Sequence, residues 1–308
     1  MFIKFVVIIE DKKRRSFMKT NKFSKHIALC LSFLIAFTLL NAFKTQTHMA
    51  KAETIVTEEI WYGEDYCNTG DYTAVAEEES FEFATKTETS AYISDNFPDY
   101  HKNDYSINNA CAPVAASNIV GFYDRWYNNL IPDYETGFTL GTMYLYNNMT
   151  YQVEKKDALI NSLYTYMGTN VVNPGTTKTQ YNNGLTAYVN DCGKNISYYS
   201  VMNGNTFSFE KLQEQITLGR PVTFFCSGYN FTSIALTDDY VIFEKSIFST
   251  NHVFVVYGYK IYSFYEASGD LLTTKIILGC SSGMPGGLTY YLLNNNGNIN
   301  DAEGTHIY

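Results

Sequence analysis

Two residues of this 308-residue chain stand where acyl chemistry would need them: Cys111 and His252. A cysteine attacks as its thiolate, so it needs a lowered pKa and a neighbouring base to take its proton. Cys111 immediately precedes a segment of helical periodicity. Ala115, Ala116, Ile119, Val120, Phe122 and Tyr123 fall on one broad face, and Pro113 suits a first turn. The pattern predicts a helix over 112–125, whose N-terminal end would favour the thiolate. His252 opens His-Val-Phe-Val-Val-Tyr-Gly-Tyr, an apolar strand led by one polar residue. The two lie 141 residues apart, within the spacing of cysteine–histidine pairs that meet only in the fold.

The remaining cysteines and histidines fit this chemistry less well. Cys226 and Cys280 lie on apolar runs and read as buried, inert thiols. Cys192 follows a helix end, where the dipole disfavours a thiolate, and Cys67 sits in an acidic stretch. Cys30, His26 and His48 belong to an N-terminal leader, His306 is next to the C-terminus, and His101 lies in a polar loop. No Cys-x-x-Cys spacing occurs and the chain has only 5 histidines, so neither a metal centre nor a cofactor is expected.

The elements that must position this pair follow from periodicity and punctuation. Further helices are predicted over 154–167, stopped by Gly168, over 180–191, closed by Gly193, and over 208–218, capped by Ser208 and ended by Gly219 and Pro221. After Pro221 the chain turns to strands: 222–226, 239–243, 252–261, 273–278 and 288–293. The turn signals Ser268-Gly269-Asp270 and Met284-Pro285-Gly286-Gly287 suit antiparallel hairpins, and Asn294–Asn298 reads as a polar loop. The expected fold class is α+β, a helical layer carrying the nucleophile's helix packed on a C-terminal antiparallel sheet.

Upstream, residues 29–43 are an apolar run preceded by Lys19, Lys22 and Lys25 and followed by Ala50-Lys51-Ala52. A basic start, a short apolar run and a small-x-small site predict a signal peptide over residues 1–52, with Met18 as an alternative start. The run is short for a spanning helix, which takes about 20 apolar residues, so no stable membrane span is expected after its removal. Residues 53–97 form an acidic segment, readable as a solvated arm, a propeptide or extra strands; Ser80–Thr87 alternates like a strand. Residues 98–308 would be the functional domain. A net charge of −9 argues against a nucleic-acid partner.

Asn109-Ala110-Cys111-Ala112-Pro113-Val114-Ala115-Ala116 resembles the nucleophile helix of papain-like cysteine peptidases of the bacteriocin-processing type and their secreted relatives. The His252 run resembles their His-x-Val-Val-Val-x-Gly-Tyr strand, and Gly219-Arg220-Pro221-Val222 the Gly-x-Pro-Val turn before it. The resemblance spans about residues 98–293. It implies a papain-like fold and a peptide or protein substrate. Cys111 would attack the carbonyl, His252 would carry the proton, and a thioester would be released by water. It also implies a secreted or cell-surface protein of a bacterium.

Two parts of the family pattern are displaced. A Gln is expected about six residues before the cysteine, to bind the oxyanion, and position 105 is Tyr; Asn103, Asn108 or Asn109 could supply an amide, and Asn109 is also a turn or cap residue. The histidine's orienter is expected as Asp or Asn on the following strand, where Ser281 and Ser282 stand; Asp238 or Asp239 could substitute. The readings left open are therefore a cysteine peptidase or amide hydrolase, an inactive secreted binding or adhesion module on the same fold, and a cell-wall amidase or transglutaminase-type acyl transferase.

Overall fold

The computed structural model describes residues 59–63, 74–94, 96–102, 107–147, 152–293 and 298–308. The proposed signal peptide, Cys67, Asn103, Tyr105 and most of the 294–298 loop lie outside these residues.

Among the described residues, four helices carry one layer. Helix α1 (Cys111–Asp124) is buried at every position, which is why its sequence has no polar stripe: a helix enclosed on all sides needs apolar or small residues all round. Its few polar side chains are satisfied internally. Asn118 receives the Tyr100 N–H and donates to the Tyr100 and Val114 carbonyls, pinning the 97–102 segment along the helix. Helix α2 (Val153–Met167) ends at Gly168 in the left-handed conformation, and α3 (Lys178–Asp191) begins with a complete capping box between Thr177 and Gln180. Helix α4 (Phe209–Thr217) is capped by Ser208, whose hydroxyl accepts from Lys211 N–H. All four agree with the predicted spans to within two residues.

The second layer is an eight-stranded antiparallel sheet. Two short pieces outside it are β1 (Trp61–Tyr62) and its partner β6 (Thr176–Thr177), and the small hairpins β4 (Gly137–Leu140) with β5 (Met143–Tyr146) and β8 (Met202–Asn203) with β9 (Thr206–Phe207) complete the inventory of described strands. The sheet itself is made of β2 (Val75–Glu82), β3 (Thr85–Tyr92), β7 (Ile196–Ser200), β10 (Val222–Leu236), β11 (Tyr240–Tyr265), β12 (Leu271–Ser281), β13 (Thr289–Leu293) and β14 (Ile299–Ile307). Strand β11 is its spine and pairs with β10, β12, β2 and β3 along different stretches.

Two features depart from the expectation, and over residues 75–92 the structure has the extra strands that were one reading of the acidic segment. The predicted strands 239–243 and 252–261 are one continuous strand. Residues 75–92 are a hairpin on the sheet, with Lys245 paired to Glu77 and Glu79, and Lys275 to Glu79. The sheet therefore starts before the helices rather than wholly after them. Strand β14 lies between β10 and β7, past the predicted Asn294–Asn298 loop, where no strand was predicted.

The helical face of the sheet and α1 share one apolar cluster. It joins Cys111, Ala115, Ala116 and Ile119 to Phe225, Val253, Val255 and Tyr257. The alternate residues of the same strands, Phe224, Cys226, Phe254 and Val256, face a second cluster with Tyr229, Leu278, Cys280 and Tyr291.

Candidate active site

Cys111 is the first residue of α1. The preceding Ala110 makes no side-chain cap, and no acidic residue occupies the first turn. The orphan N–H groups and the positive end of the helix dipole therefore meet no competing carboxylate from the first turn, an arrangement that favours a thiolate at that position. Cys111 is 5% exposed, within the cluster that joins the helix to β11.

The other described thiols are unsuited to attack. Cys226 and Cys280 are fully buried, and burial pushes both far above an ordinary thiol. Cys192 is raised by burial, against the opposing hydrogen bond from Tyr188. His101, the rival base, is pushed down to about 4 by burial and then by Lys156.

His252 is 1% exposed and sits opposite Cys226 in the β10–β11 ladder. Its Nε2 lies 2.9 Å from the backbone oxygen of Ser282. A carbonyl only accepts, so in the neutral ring Nε2 carries the proton and Nδ1 is the basic nitrogen. Ser282 thus meets the imidazole through its carbonyl; its hydroxyl instead accepts from Met284 N–H. The imidazole stacks on Tyr229, with centroids 4.7 Å apart, and on Phe254 at 5.9 Å. Those rings belong to the second cluster, whereas its chain neighbour Val253 belongs to the cluster of Cys111. The fold thus brings the helix and the strand together at this point, with the imidazole resting on aromatic rings of the sheet's other face. Tyr229 also borders a cleft of about 410 Å³ with Ser227, Asn230, Lys245, Phe248 and Asn298, which neither His252 nor Cys111 lines.

Asn109 adopts a positive φ of 55°, a conformation Asn tolerates better than most residues. Its side-chain N–H donates to Asn170 Oδ1 at 2.9 Å, and Asn170 in turn bonds the Asn108 carbonyl, Tyr164 Oη and Gly175 N–H. Asn109 is a turn residue locked to the loop after α2. Asp238 and Asp239 lie at the far turn between β10 and β11, remote in register from His252.

A buried carboxyl that the sequence did not single out meets the end of β12. Asp99 is 5% exposed and is pushed up to about 6 by burial, opposed by a hydrogen bond from Ser281. The only sequence signal was an acid set among Phe97, Pro98 and Tyr100.

Among the described residues no group of His, Cys, Asp and Glu has the arrangement of a metal site, and no helix is long and apolar enough to cross a membrane. Residues 94–274, more than half of the chain, match the Peptidase_C39 like family, and the chain belongs to that family. No curated protein and no solved structure matches it.

Proposed function

We propose that this chain, as a member of the C39-like peptidase family, is a cysteine peptidase of papain-like fold with Cys111 as nucleophile and His252 as base. The observations that support the reading are a thiol at an unopposed helix start, an imidazole whose Nε2 lies 2.9 Å from a carbonyl, and the shared core that packs Cys111 with Val253, the residue after His252. In this mechanism Nδ1 takes the Cys111 proton, and the thiolate adds to the scissile carbonyl carbon. The backbone N–H of Cys111 stabilises the oxyanion. Collapse of the tetrahedral adduct breaks the C–N bond, and the imidazolium gives its proton to the leaving amine. Water, deprotonated by His252, then opens the thioester and restores the thiol. The imidazolium is supported by the Ser282 carbonyl and by the π face of Tyr229. The leader over residues 1–52 would export the chain to the bacterial surface or medium, which N-terminal sequencing of the secreted product tests.

The test is alkylation near neutral pH. Iodoacetamide should modify Cys111 faster than the other thiols, and Cys111→Ala should abolish peptide hydrolysis. A Cys111 no more reactive than a denatured thiol would sink the enzyme reading. A second reading, a non-catalytic binding module, is favoured by one observation: the orienter is an uncharged carbonyl where the family places Asp or Asn. It expects Cys111→Ala to retain full ligand binding with no hydrolysis in either protein. Product analysis on peptide, muropeptide and amine-acceptor substrates separates a peptidase from an amidase or a transglutaminase-type enzyme.

A further inference from the structure

Residues 60–63 cross the space between the two halves of the candidate site. Strand β1 is added antiparallel to β6, with Trp61 opposite Thr177 and Tyr62 opposite Thr176. Asn251, the residue before His252, donates its side-chain N–H to the Trp61 carbonyl at 2.9 Å. At the other end Gly63 lies against Asn109, two residues before Cys111. A Cβ on Gly63 would stand 2.8 Å from that of Asn109, closer than such carbons approach. Between these points Tyr62 is 2% exposed, its ring edge-on to Phe225 at 5.4 Å. Its hydroxyl accepts from Asn300, whose amide also reaches Ser227, the cross-strand partner of Asn251. The phenol is raised to about 12, first by burial, against the Asn300 hydrogen bond, and then by Cys226, Asp301 and Cys111 around it.

The floor under this segment is prepared for close backbone approach. Gly175 has φ +104°, and a side chain there would strike the Tyr62 carbonyl, 2.5 Å from the position of its Cβ. Thr176 is held by Thr169 and Thr177 by the capping box of α3, so β6 is a fixed edge. A rigid edge that accepts an extended segment by main-chain pairing, with one deep side-chain pocket, is the geometry of strand-addition peptide recognition.

We propose that residues 60–63 occupy the substrate groove in cis. Peptides would bind there as a strand antiparallel to β6, an aromatic side chain entering the Tyr62 pocket and a glycine passing Asn109. This rests on the peptidase reading for its catalytic consequence. The chain carrying residues 60–63 is then self-inhibited, because only the fraction with the segment released is competent to bind substrate.

The experiment uses the full chain and two variants, Tyr62→Ala, which empties the pocket, and Gly63→Val, which removes no buried group and wedges the segment off Asn109. Cys111 alkylation by iodoacetamide is read by mass spectrometry beside hydrolysis of fluorogenic peptides, with circular dichroism to confirm folding. Both variants should alkylate about tenfold faster than the parent, as expected if release of a mostly docked segment is limiting. Ac-Ile-Trp-Tyr-Gly-amide should slow alkylation of Gly63→Val again, and Ac-Ile-Trp-Ala-Val-amide should not. Unchanged alkylation in folded Gly63→Val, or no protection by the first peptide, overturns the proposal even if hydrolysis persists. Faster alkylation with selective protection, but no hydrolysis by any form, supports the groove and overturns the peptidase reading instead. Should Tyr62→Ala fail to fold, Gly63→Val decides.

Discussion

The sulfur of Cys111 and the sulfur of Cys226 differ mainly in what surrounds them. Both lie in apolar clusters, but one begins a helix whose first turn holds no acid, and the other sits mid-strand, fully buried, where burial raises its pKa. That contrast was legible, because helix starts and apolar strands are local patterns. Asp99 was not legible. Among thirteen acids in residues 53–100 it looked like any solvated carboxylate, and only the packing of the 97–102 segment on α1 buries it. Its titration has a consequence for stability. The folded carboxyl titrates near 6 and the unfolded one near 3.8. The native state therefore holds the extra proton, and stability falls as pH rises from about 4 to about 6. The loss attributable to this group is about 2–3 kcal/mol at 1.36 kcal/mol per unit. Asp99→Asn should remove that slope, leaving the variant more stable than the parent at pH 7. Urea midpoints measured from pH 4.5 to 7.5 check this, and parallel curves for the two proteins would refute it.

At the scale of elements, the helices and the strands differ in what wrote them. Each helix boundary rests on residues within a turn of it: Ser208 before α4, Gly168 after α2, Thr177 and Gln180 around the start of α3. Such signals act locally, so a sequence displays them. Thr177→Ala should cost about 1 kcal/mol by removing the capping box, seen as a lowered urea midpoint with an unchanged m-value. An unchanged midpoint would mean that tertiary packing alone holds the helix start. Strands depend on partners. The middle of β11, Glu244–Asn251, fell between two predicted strands; β2 lies beside its first half, where Glu77 and Glu79 meet Lys245, and β10 lies beside the whole of it. Strand β14 hides for the same reason. Glu303 is 3% exposed, a placement that holds because Lys178 from α3 reaches it at 3.0 Å.

Over the whole molecule, the acidic segment is divided. Residues 75–92 belong to the sheet: they cover two stretches of β11, and Phe83 enters a third apolar cluster with Phe243, Phe264, Ile277 and Leu292. Residues 59–63 reach instead to the site. Chains beginning at residue 74 and at residue 93 should therefore behave differently. The first keeps the hairpin and should melt cooperatively. The second exposes a long apolar edge on β11, and such edges invite aggregation. Light scattering and thermal melts of the two distinguish them; similar melts would mean the hairpin contributes nothing to the sheet. Phe83→Ala, a milder change, should cost about 3 kcal/mol, as loss of a buried ring does.

The sequence by itself determined which segments are helices and singled out the candidate reactive groups: a cysteine before a periodic run, a histidine before an apolar strand, and signals at the helix ends are all contiguous in the chain. It also carried the family, whose match over residues 94–274 includes the Cys111 and His252 blocks and the turn between them. The tertiary structure alone decided what holds the histidine, that Asn109 is a turn residue bound to Asn170, and what lies across the helix start and the strand. A backbone carbonyl is present at every residue, so no residue type announces that the Ser282 carbonyl meets His252 Nε2. Nor does Trp61-Tyr62-Gly63 announce its place against Asn251 and Asn109, because those neighbours come from segments about 50 to 190 residues away in the chain, and contacts of that separation are written only by the fold.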